Sequence, residues 1–170
     1  MSISEKRLAA NRANAAKSTG PKSPKGKAIS AQNSVRHSIL ANTVVLERES
    51  VERFTSLLQA FHKEFQPESE VELALMETMV VSRWRQMRIW GLEKASLTYE
   101  MNRMALCPEI GAPDDAPTQT AIAFRNLSDD SRALDLLTRY ETRFDNQFSR
   151  ALRRLNELRH RRGQSQIAAV

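Results

Sequence analysis

Gly20, Gly26 and Lys27 come nearest in this chain to a spaced chemical motif, the glycine-rich loop that cradles nucleotide phosphates on its amides beside a lysine. The spacing excludes that chemistry. The two glycines are six residues apart where the phosphate loop needs about five, Ala28 stands where a Ser/Thr would hold magnesium, and no apolar strand-like run precedes them. Metal and nucleophilic chemistry find less to use. His37, His62 and His160 lie in three separate segments without a His-Glu-x-x-His pattern, and Cys107, before Pro108, has no second cysteine. The acidic pairs Glu70/Glu72 and Asp129/Asp130 are accounted for by helix starts. No catalytic residue, metal site or cofactor is expected, and the chain reads as a protein that is not an enzyme.

Phosphate contact by cations is the chemistry that remains. Residues 1–46 hold eight Lys/Arg against Glu5 alone, residues 150–162 hold six Arg against Glu157, and the stretch between holds 12 basic against 18 acidic residues. A polyanion is drawn to the two ends and repelled by the middle. Within the N-terminal segment, Thr19-Gly20-Pro21-Lys22 and Ser23-Pro24-Lys25-Gly26-Lys27 read as consecutive turns that present lysines, like the Ser-Pro-Lys turns of linker-histone tails. Lys17, Lys22, Lys25, Lys27 and Arg36, with His37 beside them, are the expected phosphate contacts. About five such contacts on a duplex give a slope of log affinity against log salt near −4 to −5. A solvated tail is the competing reading. Of the C-terminal cluster, Arg150, Arg154 and Arg161 fall near one side of a helix and Arg153 nearer the other. Arg154 and Arg161 are candidates for a second nucleic-acid contact, against complementing the helix dipole and pairing at i to i+4.

These cations need elements to carry them. Residues 1–46 contain no aromatic residue and, before Val35, mostly Ala among their apolar residues, so they bury too little to offset their ordering entropy. The segment is expected to be a largely disordered arm, with a transient helix over 5–16, a helix stop at 17–27, a short helix over about 28–40 and an extended 43–46. From Val51 the period turns helical, with Val51, Phe54, Leu58, Phe61 and Phe65 on one face. Ser69-Glu70-Val71-Glu72 has capping-box spacing. The expected helices are 50–66, 70–105, 118–127 and 129–162, within a body over 47–163 followed by a disordered tail over 164–170. The last helix is expected to be capped by Ser128, seamed by Ala133, Leu137, Tyr140, Phe144, Phe148, Ala151, Leu155 and Leu158, and ended by Gly163 as the residue past its C-terminus.

Two long helices joined by a loop over 107–117 predict an all-α fold, an elongated helical bundle with coiled-coil-like seams built on an antiparallel hairpin. Met76, Met79, Val80, Trp84, Met87, Trp90, Leu97 and Met101 surround the helix 70–105, more apolar surface than one partner covers. Either the helix 50–66 or a second subunit takes the remainder, which makes this helix a candidate homo-oligomer surface. Beside the tryptophans, Arg83, Arg85 and Arg88 interrupt the most apolar stretch, so no membrane span is expected. A single cysteine and the absence of a charged-then-apolar leader point to a cytoplasmic address.

The stretch Asn11-Arg12-Ala13-Asn14-Ala15-Ala16-Lys17-Ser18-Thr19-Gly20-Pro21-Lys22-Ser23-Pro24-Lys25-Gly26-Lys27-Ala28, followed by Gln32-Asn33-Ser34-Val35-Arg36-His37, resembles the opening of a family of uncharacterised bacterial proteins that continues into long helices. The shared motif covers about 30 of the 170 residues, and it departs from the family pattern at Ser34 and Ser38, where Ala and Gly are usual. Asn33 to Leu40 is more distantly similar to the starts of phage-associated proteins, some of them small terminase subunits, which bind DNA as oligomers. The resemblance implies no activity. Together these readings make nucleic acid, DNA or RNA, the expected partner of the basic arm, with the helical body as scaffold; the alternative is a helical interaction or assembly module with a solvated basic tail.

Overall fold

The computed structural model describes residues 12–13, 20–21, 23–106, 115–130 and 132–168, with side chains for all of these but 25, 28–30, 32–33, 130 and 166–168. Among the described residues the fold is all-α and no strand occurs. Its helices are α1 (Pro24–Val44), α2 (Val51–Phe65), α3 (Glu70–Ala105), α4 (Ala116–Asp130) and α5 (Ala133–Ala168). The chain divides into two compact units, Met1–Val51 and Glu52–Val170. No helix among the described residues is long and apolar enough to cross a membrane.

In the first unit, the short helix expected over about 28–40 is α1, which starts four residues earlier and ends four residues later. The Ser23-Pro24-Lys25-Gly26 stretch, read as a turn, is a helix start. Ser23 is extended, its Oγ accepts from the Gly26 amide at 3.1 Å, and Pro24 opens the helix where its missing N–H costs nothing. Gly26 is needed sterically as well, since a Cβ there would lie 2.9 Å from Pro21 Cβ and 3.0 Å from Ser23 Oγ. The helix then runs four residues beyond Leu40 to Val44, and Val45 is the extended residue, its amide still bonded to the Ala41 carbonyl at 2.9 Å. A short turn follows, closed by Glu49 Oε2 accepting from the Leu46 amide at 3.0 Å. The transient helix expected over 5–16 falls almost wholly outside the described residues, as does most of 17–22.

In the second unit, amphipathic α2 buries Phe54 and Leu58 completely, and Phe54 meets Trp84 of α3 edge to face at 5.4 Å between ring centres. Phe61 meets Phe148 of α5 in the same manner at 6.2 Å. With Met76, Met79 and Val80 of α3 and Leu155 of α5, all wholly buried, these rings form the core. Each large apolar side chain so buried contributes about 1.5–3 kcal/mol. α3 and α5 make the principal helix contact, and α4 packs mainly on α3. The residues that meet between α3 and α5 follow a descending order: Glu72 with Arg159, Arg85 with Phe144, Trp90 with Glu141.

Both ends of α4 and both ends of α5 differ from expectation by two residues or more. α4 starts two residues early because Asp115 Oδ1 accepts from the Thr118 amide at 2.8 Å, and it continues through Ser128 and Asp129 to Asp130. Ser128 is therefore no N-cap; its hydroxyl donates to the Phe124 carbonyl inside α4 at 2.8 Å. α5 begins at Ala133 and passes through Gly163 to Ala168, so Gly163 does not end it and most of the expected tail, 164–168, is helical. The loop residues 107–114, Cys107 among them, lie outside the described residues.

Candidate nucleic-acid interface

Lys27 occupies the first turns of α1 and is exposed. This end of the helix has no acidic residue in its first turn, so the positive end of the helix dipole and the lysine charge reinforce one another. Arg36 and His37 lie further along α1, half-buried and each engaged with other groups. At about 100° per residue, Lys27 and Arg36 fall on opposite sides of the helix, so one straight row of phosphates cannot meet both. Lys17 and Lys22 lie outside the described residues, and of Lys25 only the backbone, in the first turn of α1, is described.

The second set sits on α5, in the other unit. Arg154 and Arg161 are both exposed, and they share their face with two further exposed arginines, Arg143 and Arg150. The steps of 7, 4 and 7 residues are close to two, one and two helical turns, which keeps the four within about 40° of one another over about 27 Å of axis. Arg132 and Arg139 precede them in register, but both are held by Asp135, at 3.9 Å and 3.3 Å. Among the described residues no carboxylate pairs with Arg143, Arg150, Arg154 or Arg161. Arg143 was missed in the sequence because the cluster was read as beginning at Arg150; the 7-4-7 spacing was there to find it.

The rest of the arginine cluster does something else. Arg159 donates through Nη2 to Glu72 Oε2 at 3.3 Å and to the Phe65 carbonyl, and Arg162 Nη1 donates to Glu68 Oε2 at 2.8 Å. The same Nη1 lies 2.8 Å from Glu72 Oε1, which carries that ion pair without a hydrogen bond of its own. Glu72 also accepts from the Glu68 amide at 3.1 Å, while its own amide donates to Ser69 Oγ at 3.3 Å. The capping box thus forms with its back-bond one residue earlier than the pattern specifies, and the carboxylate turns inward to the arginines. Burial raises the Glu72 pKa, but the Glu68 amide, the Arg159 hydrogen bond and the charges of Arg162 and Arg159 outweigh it and hold the group below its ordinary 4.5. Arg159 and Arg162 are therefore structural cations, and helix-dipole complement is not their role, since α5 continues past them.

At the other end of α3, buried Glu100 accepts two hydrogen bonds from Arg103, at 2.7 and 2.9 Å, and one from Asn126 of α4 at 2.8 Å. The Arg103 and Asn126 bonds, against burial, lower its pKa. Of the two tryptophans, Trp84 is core, whereas Trp90 is 40% exposed, lies under the Arg83 guanidinium at 4.7 Å and donates to Glu141 Oε1 at 2.6 Å. Between α3 and α5 lies an open groove of about 460 Å³, lined by the apolar Leu92, Leu136, Tyr140 and Phe144 and by Arg85 and Arg88. Among the described residues no three His, Cys, Asp or Glu side chains gather as a metal site.

The fold and these surfaces define an all-α protein that carries exposed cations in each of two units. No family model, curated protein or solved structure matches the chain.

Proposed function

We propose that the protein binds nucleic acid with little sequence preference, the basic N-terminal segment contacting phosphates and the helical body serving as its scaffold. The observation that supports this is the acid-free stretch from Lys6 to Leu46, which ends in a helix whose first turns hold Lys25 and exposed Lys27 at the positive end of the dipole. Such an end attracts phosphate, and the lysines supply counterion release. In this reading the scaffold is an elongated bundle on an antiparallel hairpin of α3 and α5, supported by the descending order of their meeting residues. Lys17, Lys22, Lys25, Lys27 and Arg36 changed together to Gln test it, by anisotropy of a labelled 30-base-pair duplex titrated with salt. The slope of log affinity against log salt should shrink by about 4–5. Wild-type slope and affinity in the variant would sink the reading. Charge substitution is preferable to deletion because Ala41 and Val44 of α1 are buried.

A second reading, an assembly module, is favoured by the groove between α3 and α5, where Leu92, Leu136 and Tyr140 remain almost half exposed. Sedimentation over a wide concentration range should then show an oligomer that Leu92→Lys with Leu136→Lys abolishes.

A further inference from the structure

We infer that α5 carries a second phosphate-binding surface, the ridge of Arg143, Arg150, Arg154 and Arg161, which lies along the backbone of a nucleic-acid duplex. It rests on the nucleic-acid reading for the class of ligand only, because the surface belongs to the other unit.

Folding does not explain the ridge. A solvated helix face ordinarily intersperses its charges, as α5 itself does where Arg139 pairs with Asp135 four residues away at 3.3 Å. Beyond Asp145 that pattern ends: Glu157 is the only acid in the rest of the chain, and it forms no ion pair with Arg154 or Arg161. Arg150 and Arg154, one turn apart on the same face, repel one another by a few tenths of a kcal/mol. The folded protein therefore holds a row of like charges that costs stability and that an external polyanion would relieve.

Duplex backbone is the ligand that fits this row. Guanidinium forks match phosphate oxygens and keep their charge at any physiological pH. The ridge spans about 27 Å, a length of duplex axis over which each strand carries about eight phosphates at 3.4 Å of rise each, more than the four guanidiniums need. Unpaired bases would need aromatic platforms, and the rings on this part of α5, Phe144 and Phe148, are half-buried, with Phe148 turned to Phe61. A lipid surface would need apolar side chains to insert, and among the described residues no large exposed hydrophobic one occurs after Tyr140.

The test uses the full chain with all four arginines changed to Gln, a second version with all four changed to Lys, and the arm-neutralised variant described above. Helix content by circular dichroism accompanies each binding measurement. With the labelled 30-base-pair duplex, the Gln version should lose at least tenfold in affinity at about 100 mM salt and shrink the salt slope by about 3–4, at 0.9 per phosphate. The Lys version, which keeps the charges but not the guanidinium forks, should keep the wild-type salt slope and bind more tightly than the Gln version, though less tightly than the wild type. Wild-type binding by the Gln version overturns the ridge while leaving the arm reading intact. Loss in the Gln version with no loss in the arm variant keeps the ridge and sinks the arm. A wild-type protein that ignores the duplex, or that binds phosphatidylglycerol vesicles through the ridge in its place, overturns the ridge, as does a Lys version that binds no more tightly than the Gln version with helix content unchanged.

Discussion

The wholly buried carboxylate of Glu72 is paired with the guanidinium of Arg159, 87 residues away in sequence, at 3.3 Å. The pair ties the start of α3 to α5, and because Arg159 also donates to the Phe65 carbonyl, it ties in the end of α2. One guanidinium thus closes three helix segments around one carboxylate.

Removing that carboxylate charge should be costly. Glu72→Gln leaves Arg159 and Arg162 facing a neutral amide, and a hydrogen bond to a charged group contributes about 1.5–3 kcal/mol. Arg159 is 39% exposed, so solvent offsets part of the loss and about 2 kcal/mol is expected at pH 7. Urea denaturation with an unchanged m-value would measure it.

The same carboxylate sets an acid limit. The folded pKa values of Glu72 and Glu100 lie below the ordinary 4.5, so each binds its proton more readily in the unfolded chain. Their contribution is complete above pH 4.5 and is lost as pH falls from there through the lowered folded values. The stability these two carboxylates supply should therefore hold down to about that point and then decline, and the decline should be shallower in Glu72→Gln. An equally steep decline in the variant would assign the acid sensitivity elsewhere.

Asn126 holds α4 to α3 through its bond to Glu100 at 2.8 Å. Asn126→Ala leaves Arg103 as the carboxylate's support and should cost about 1–2 kcal/mol. The loss should be local, with hydrogen exchange of the α4 amides accelerating more than that of α2.

Gly91 and Gly163 sit inside long helices, and a Cβ built at either meets nothing within 4 Å. Gly91→Ala and Gly163→Ala should each stabilise by about 0.5–1 kcal/mol, since alanine costs less backbone entropy in a helix. The two should add, being far apart in sequence and without shared neighbours.

Gln66 is the reverse case. Its φ of 39° ends α2 in the left-handed region, with its amide bonded to the His62 carbonyl at 2.9 Å. Glycine adopts that geometry freely, so Gln66→Gly should raise the melting temperature, by the equivalent of about 0.5–1 kcal/mol once the greater freedom of unfolded glycine is subtracted.

Legibility in the sequence followed the length scale of the cause. Phe54 and Leu58 repeat along α2 at helical spacing, and Ser69 precedes Glu72 by the capping interval; both signals act within one or two turns. Ser23-Pro24-Lys25-Gly26 was also local but ambiguous, because the residues that make a turn are those that start a helix; the bond from the Lys27 amide to the Ser23 carbonyl at 2.9 Å, of helical i to i+4 type, separates the two outcomes. Ser128 failed similarly: its hydroxyl can serve a cap or bond back to the Phe124 carbonyl, and in the folded chain it does the second.

Charge shows the division most clearly. The order of the residues determined that cations crowd residues 1–46 and 150–162 and that a helix carries the second set, because charge and period are properties of the sequence read in order; that Lys27 also stands on a helix was decided by the structure. Which arginines are free for a ligand was decided by tertiary structure. Helical spacing sets Arg154 and Arg161 on one side but gives no partner for Arg159 and Arg162; burial of Glu72 captures those two and leaves Arg154 and Arg161 exposed. A charge is assigned by what stands across from it, and here that is a carboxylate 87 residues away.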